Sequence, residues 1–177
     1  MTLSLDAEAL YAQLRDGVRA LITPQTQLVG IWSGGAWLAQ RLHADLGREG
    51  KPGTVSSRMH RDDFGERGLA AGADATTLPF AVDGADILLV DDVLHTGRTI
   101  RAAMNELFDY GRPERIRLAA LLDRGGRHLP VAPTFLGAHV DLEAGREIVL
   151  DRCASGAHAD TLLLKVQPRS GQRESAT

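Results

Sequence analysis

Four apolar residues, Ile87 to Val90, run straight into two adjacent acids, Asp91 and Asp92, and on through Val93, Leu94 and His95 to Thr96, Gly97, Arg98 and Thr99. Each part of this segment, ILLVDDVLHTGRTI, suits a phosphorylated sugar. A helix opening at residues 96–99 would turn unpaired backbone N–H groups and the positive end of its macrodipole toward a phosphate monoester. Thr96 and Thr99 add hydroxyl donors, and Gly97 lets the backbone come close. Neighbouring carboxylates accept hydrogen bonds from vicinal sugar hydroxyls, so Asp91 and Asp92 are candidates to grip a ribose while the loop grips its 5′-phosphate. A plainer reading makes Asp92 or Thr96 a helix cap and leaves Asp91 in solvent. The run of buried strand, paired acids and hydroxyl-glycine loop favours the sugar phosphate.

Other phosphate and hydrolase signatures are missing. The chain has no GxxxxGK[ST], no strand-borne GxGxxG, no HExxH and no GxSxG, which removes P-loop, dinucleotide, zincin and serine-hydrolase chemistry. His60, His128 and His158 do not fall at metal-ligand spacing. His43 is expected in solvent and His95 half exposed in its loop.

The elements that must hold these residues follow from periodicity. Leu10, Leu14, Val18 and Leu21 predict a helix over residues 6–21 with Asp6 as N-cap. LVGIW (28–32) predicts a strand that ends in the turn-permissive Ser33, Gly34 and Gly35. Leu38, Leu42 and Leu46 predict a second helix, stopped by Gly47 or Gly50. Val55 and Met59 bracket a short strand, and residues 60–80 then lack any period, a length typical of a lid rather than a tight connection. ILLV reads as a strand buried on both faces that ends at Asp91. Ile100, Ala103, Met104, Leu107 and Phe108 mark the buried face of a third helix, stopped at Gly111 and Pro113. IRLAALL (116–122) gives another strand, followed by Asp123, Arg124, Gly125 and Gly126, with shorter strands over 134–140, 147–150 and 161–166. Alternating strands and helices predict an α/β fold with a mostly parallel central sheet, whose ligands bind beyond the carboxyl ends of the strands.

At 177 residues the chain fits one domain, 1–177, with a polar, frayed tail at 168–177. Twenty basic against twenty-three acidic residues leave a net charge of −3, which disfavours nonspecific nucleic-acid binding. Cys153 is the only cysteine, so a reducing, cytoplasmic setting fits best, and neither a signal peptide nor a bilayer-length apolar run is present.

ILLVDDVLHTGRTI resembles the phosphoribosyl-pyrophosphate (PRPP) signature of the type I phosphoribosyltransferases. MHRDDF (59–64), RAAMNELFDYGRP (101–113) and LLDRGGRHLPVAPTFLGAHV (121–140) resemble one branch of them, the bifunctional pyrimidine operon regulator and uracil phosphoribosyltransferase family. The resemblance implies the type I phosphoribosyltransferase fold with a flexible hood, and an enzyme that joins uracil to PRPP, giving uridine monophosphate and pyrophosphate. It implies that Asp91 and Asp92 position the ribose and that Val93, Leu94, His95, Thr96, Gly97, Arg98 and Thr99 bind the phosphate. Ser33, Gly34 and Gly35 would supply backbone donors to pyrophosphate, Gly34 easing a strained or cis peptide, and Arg61 would supply a cation unless it simply pairs with Asp62 or Asp63. Mg2+ would enter on PRPP and pyrophosphate oxygens, with no dedicated protein cluster. Leu136, Gly137 and Ala138 would lie on the base side with His139 near the base pocket, Asp151 near metal or pyrophosphate, and the chain would form a homodimer.

Two departures from the family pattern stand out. The loop at residues 33–35 lacks the usual basic residue, leaving Arg61 and Arg124 to compensate. Around the DRG segment the usual His-Arg pair is Gly126 and Arg127, and alanines stand at Ala132 and Ala138. On the first helix Asp16 lies between Arg15 and Arg19. These features favour the enzyme over the alternative, an RNA-binding attenuator that senses uridine monophosphate and PRPP with little catalysis. Phosphoribosyl transfer to a purine or to orotate is a third option, although no cation for orotate's carboxylate stands near Leu136.

Overall fold

A computed structural model describes residues 5–56, 75–153 and 160–169 of the chain. In chain order the elements are α1 (Ala7–Leu21), β1 (Gln27–Ile31), α2 (Gly34–Asp45), β2 (Gly53–Val55), β3 (Asp86–Leu94), α3 (Arg98–Tyr110), β4 (Arg115–Asp123), β5 (Phe135–His139), β6 (Arg146–Arg152) and β7 (Leu162–Pro168). Asp6 caps α1 as its sequence position predicts, Oδ1 accepting from the amides of Glu8 and Ala9 at 3.0 Å.

Five strands form one sheet in the order β2-β1-β3-β4-β5, and every pairing in it is parallel. Leu88 and Val90 join Leu14, Val18, Leu38 and Leu42 in a core between the sheet and α1 and α2. Ile87 and Leu89 face the other way, toward Ile100, Ala103 and Leu107 of α3. A strand covered on both faces must be apolar at consecutive positions, which is why ILLV shows no alternation. β6 and β7 stand apart as an antiparallel pair, with Ile148, Leu150 and Leu162 completing the α1 side of the core. Among the described residues no helix is long and apolar enough to cross a membrane.

Several boundaries differ from expectation. β3 does not stop at Asp91 but continues to Leu94, because its pairing with β4 holds through Leu94↔Asp123. α2 begins at Gly34, so two residues read as loop form its first turn. Phe108 is exposed rather than buried; it lies one position past Leu107, about 100° round the helix, and Arg112 covers its ring. His43, expected in solvent, is buried, and burial holds its imidazole below the ordinary histidine pKa. Pro168, assigned to the tail, still pairs with Arg146. Met59 of the expected short strand, and residues 60–74 of the long excursion with His60 and Arg61 among them, lie outside the described residues. Its end returns to the fold: Thr77 makes two backbone bonds to Thr54, at 2.8 and 2.9 Å, and Leu78 and Phe80 pack on the α3 side of the core.

Candidate active site

The sheet order creates one crevice. From β1 the chain steps through α2 to β2 on one side, whereas β3 lies on the other side of β1. In parallel α/β sheets such a switch point opens a ligand crevice at the carboxyl ends of the strands. Residues 32–35 leave β1 there, residues 95–99 leave β3, and residues 124–131 leave β4 beside them.

On the β1 side the Trp32–Ser33 peptide is cis. Gly34 and Gly35 form the first turn of α2, which carries no acidic residue, so the opening amides of the helix have no intrahelical acceptor. Both glycines are required by close approach. A Cβ on Gly34 would lie 2.2 Å from Asp92 Oδ2, and one on Gly35 would lie 2.3 Å from the Val90 carbonyl oxygen. The loop after β1 is thus seated directly on β3.

On the β3 side, Asp91 and Asp92 diverge. Successive side chains of a strand point to opposite faces. Asp91 is buried and, with Val93, Leu94, His95, Thr96, Gly97, Arg98, Thr99, Arg101, Asn105, His128 and Arg169 among its neighbours, lines a cavity of about 490 Å³ at the start of α3. Asp92 is half-buried and turns toward Gly34. The structure therefore brings Asp91 together with the loop at 95–99, and Asp92 together with the loop at 33–35.

The loop at residues 95–99 opens α3. Gly97 is the N-cap of α3 at φ +89°, a conformation that side-chain-bearing residues avoid, and Thr96 Oγ1 accepts from the Arg98 amide at 3.3 Å. The surroundings are cationic. Burial lowers the His95 pKa first, and the charges of Arg124, Arg169, His128 and Arg127 lower it further. Such a field favours an anion.

Arg124, expected to supply a cation, donates to the Arg146 carbonyl at 2.9 Å and does not line the cavity. Asp151 pairs with Lys165 at 2.5 Å. Leu136, Gly137 and Ala138 lie on β5, beside the last strand of the site. Arg101, Asn105 and Arg169 went unnoticed in the sequence. Arg101 sits one helical turn beyond Gly97, a spacing that could have revealed it, whereas Arg169 arrives through the β6–β7 pair and leaves no local signal. Among the described residues no three His, Cys, Asp or Glu side chains converge as a metal site. A second concavity of about 420 Å³ lies between α1, α2 and β7, where Arg41 pairs with Glu8 at 2.7 Å and Arg152 stacks over Trp37.

The family model for the phosphoribosyl transferase domain matches residues 5–137. The chain is 52% identical over 159 residues to the bifunctional protein PyrR of Ralstonia nicotianae, covering 88% of this chain and 91% of that protein. It is 40% identical over 153 residues to the bifunctional protein PyrR of Nitrosococcus oceani, covering 83% and 86%. Among solved structures, a hypoxanthine-guanine phosphoribosyltransferase from Bacillus anthracis superposes with a TM-score of 0.63 at 16% identity, over 91% of this chain and 94% of that one. The likeness to that structure is one of fold.

Proposed function

The chain belongs to the phosphoribosyltransferase family, in its branch of bifunctional PyrR proteins, and from that premise we propose that it is a uracil phosphoribosyltransferase. In this reaction uracil N1 displaces pyrophosphate from the anomeric carbon of PRPP and uridine monophosphate is formed. The observation that carries the reading is the cationic cavity at the start of α3, in which a buried carboxylate, Asp91, stands beside the hydroxyl-glycine loop at residues 96–99. That pairing matches a ribose 5-phosphate, with its phosphate on the α3 amides and its hydroxyls toward the carboxylates.

The transition state of such a displacement resembles an oxocarbenium ion with a departing polyanion, so the protein's tasks are alignment, charge stabilisation and exclusion of water. Thr96, Gly97, Arg98 and Thr99 anchor the 5′-phosphate, and Asp91 and Asp92 orient the ribose from either side of β3. The first turn of α2 offers amide donors to pyrophosphate at Gly34 and Gly35. Arg61, carried over from the family pattern, is assigned as pyrophosphate's cation. Leu136, Gly137 and Ala138 flank the base. The donor set fits Mg2+ arriving on substrate oxygens, since Mg2+ keeps several non-protein ligands and Asp91 and Asp92 are the carboxylates at hand. When bound, it would offset the charge of the leaving pyrophosphate. A cytoplasmic homodimer completes the reading.

A second reading is the alternative that the family resemblance raises, a nucleotide-sensing RNA-binding regulator. The missing cation in the loop at residues 33–35 favours it. On α1, however, Arg15 and Arg19 both pair with Asp16, at 3.0 and 3.3 Å, which weakens that helix as a polyanion surface.

A steady-state assay with PRPP, Mg2+ and uracil, hypoxanthine, adenine or orotate in separate reactions decides between them. Uridine monophosphate formed with uracil alone is the expected result. No product from any base, with PRPP still bound, would overturn the enzyme reading, and salt-sensitive, uridine-nucleotide-dependent binding to a leader transcript would then establish the regulator.

A further inference from the structure

Arg127 belongs to the DRGGRHLP segment and touches none of the loops as a ligand-facing group; its guanidinium is spent inside the protein. Nη2 donates to the carboxylate of buried Asp123 at 2.5 Å, Nε donates to the Val131 carbonyl at 3.0 Å, and Nη1 donates to the His95 carbonyl. Asp123 is held in turn, accepting from the Gly125 amide at 2.9 Å. One fork therefore ties the end of β4, the turn after it and the first residue of the phosphate loop to a single point.

The backbone around Arg127 reinforces that tie. The Arg124 amide donates to the Leu94 carbonyl at 3.0 Å, and the amides of His128 and Leu129 both donate to the Thr96 carbonyl, at 2.9 and 3.0 Å. Gly126, at φ +69°, passes so close to His95 that a Cβ there would lie 2.9 Å from Nε2. Leu129 and Val131 stand 3.2 to 3.4 Å from where a Cβ on Gly97 would be. The segment after β4 is the rear wall of the loop at residues 95–97.

We propose that Arg127 is a positioning residue for the 5′-phosphate loop, locking the His95–Gly97 backbone in its phosphate-binding conformation through Asp123 and Val131. The role rests on the reading of residues 96–99 as a phosphate site. A guanidinium is suited to it because its planar fork supplies several fixed donors at once, which a lysine ammonium cannot reproduce on three acceptors in different directions. The pair with Asp123 also makes truncation costly, since removing Arg127 leaves a buried carboxylate with a lost partner.

The test compares wild type, Arg127→Ala and Arg127→Lys with Asp6→Ala, a distant helix-cap variant that lowers stability without touching the site. Amide hydrogen exchange in the ligand-free proteins reports the lock directly. Arg127→Ala is expected to speed exchange of the His128 and Leu129 amides at least tenfold, with Arg127→Lys intermediate and Asp6→Ala unchanged there. Binding of ribose 5-phosphate is expected to weaken at least tenfold in Arg127→Ala. In turnover its KM for PRPP should rise similarly while kcat and the KM for uracil stay within about threefold. Unchanged exchange at those amides, or wild-type affinity for ribose 5-phosphate in Arg127→Ala, would overturn the proposal. If Arg127→Ala does not fold, the same readouts on Arg127→Lys decide it. Failure of the wild type itself to bind ribose 5-phosphate or PRPP would instead strike the phosphate-site reading, with the exchange data still deciding whether Arg127 locks the loop.

Discussion

Gly34 stands against Asp92 with no room for a methyl group between them: a Cβ at position 34 would meet Oδ2 at 2.2 Å and Cγ at 2.5 Å. Oδ2 and Cγ end a side chain that can swing away, and Asp92 Cβ, at 2.9 Å, asks in addition for a shift of a few tenths of an ångström between loop and strand, so the fold can respond but the carboxylate does not keep its place. Gly34→Ala is therefore expected to leave stability within about 1 kcal/mol of wild type while lowering PRPP-dependent turnover a hundredfold or more. Gly35→Ala provides the contrast, because there the obstruction is the Val90 carbonyl of β3, 2.3 Å away, which cannot move without breaking the sheet. That variant should lose about 1–3 kcal/mol, the cost of overpacking. Thermal denaturation and turnover measured together separate the two; equal stability losses would show that Asp92 does not yield.

How much of this was legible beforehand depends on range along the chain. The Asp6 cap, the α1 face and the ILLV core strand were readable because their causes are local: a cap bonds two or three residues on, a helix face repeats every turn, and a strand covered twice is apolar throughout. The glycine that opens α3, Gly97, was readable for the same reason. What escaped was set by partners far away in sequence. β3 runs past Asp91 only because β4 pairs with it as far as Asp123, so the two acids face opposite sides of a strand rather than ending one. Arg169 reaches the cavity from the end of β7, and Arg124 finds the Arg146 carbonyl on β6; neither contact has a periodic signature.

Gly97 tests the loop conformation itself. At φ +89° an alanine is strained by roughly 1–2 kcal/mol, and its Cβ would stand 3.2 Å from Val131 Cγ2. Relief of that strain turns the amides at the start of α3 away from the phosphate. Gly97→Ala should raise the KM for PRPP at least tenfold and leave the KM for uracil within about twofold; initial-rate kinetics with each substrate varied in turn will show whether the effect is confined to PRPP.

Asp86 gives a stability prediction far from the crevice. Burial acts to raise its pKa, but hydrogen bonds from Arg115 and Thr26 and the charges of Arg117 and Arg115 outweigh it, and the net shift is downward. Oδ1 accepts from Arg115 at 2.9 Å and Oδ2 accepts from Arg117 at 2.8 Å and from Thr26 at 2.7 Å. A carboxyl whose folded pKa lies below its unfolded value stabilises the protein above the unfolded value of about 4 and loses that contribution as pH falls through the folded one. Asp86→Asn should cost about 2–3 kcal/mol at pH 7, somewhat below the loss for a fully buried pair. Denaturant unfolding from pH 7 down to pH 3 should show the gap between variant and wild type narrowing; a pH-independent gap would mean that charge plays no part.

His95 reports on the cavity without any turnover. Burial first, and then Arg124, Arg169, His128 and Arg127, hold its pKa below the ordinary value near 6.5, so the imidazole is neutral at pH 7 in the free protein. Because the unfolded chain takes up that proton more readily, the histidine's contribution favours folding above the unfolded value and is lost as pH falls below it. An anion in the cavity offsets the positive field at His95, and the pKa must then rise. Nitrogen-15 NMR titration of the imidazole should give a midpoint below 6.5 in the free protein and a higher one with ribose 5-phosphate bound. By linkage the same coupling makes protonation of His95 tighten anion binding, so Arg169→Ala, which removes one of those cations, should raise the free-protein midpoint and shrink the ligand-induced shift. A midpoint indifferent to ribose 5-phosphate would place the phosphate away from His95 and overturn the reading of this cavity as the phosphate site.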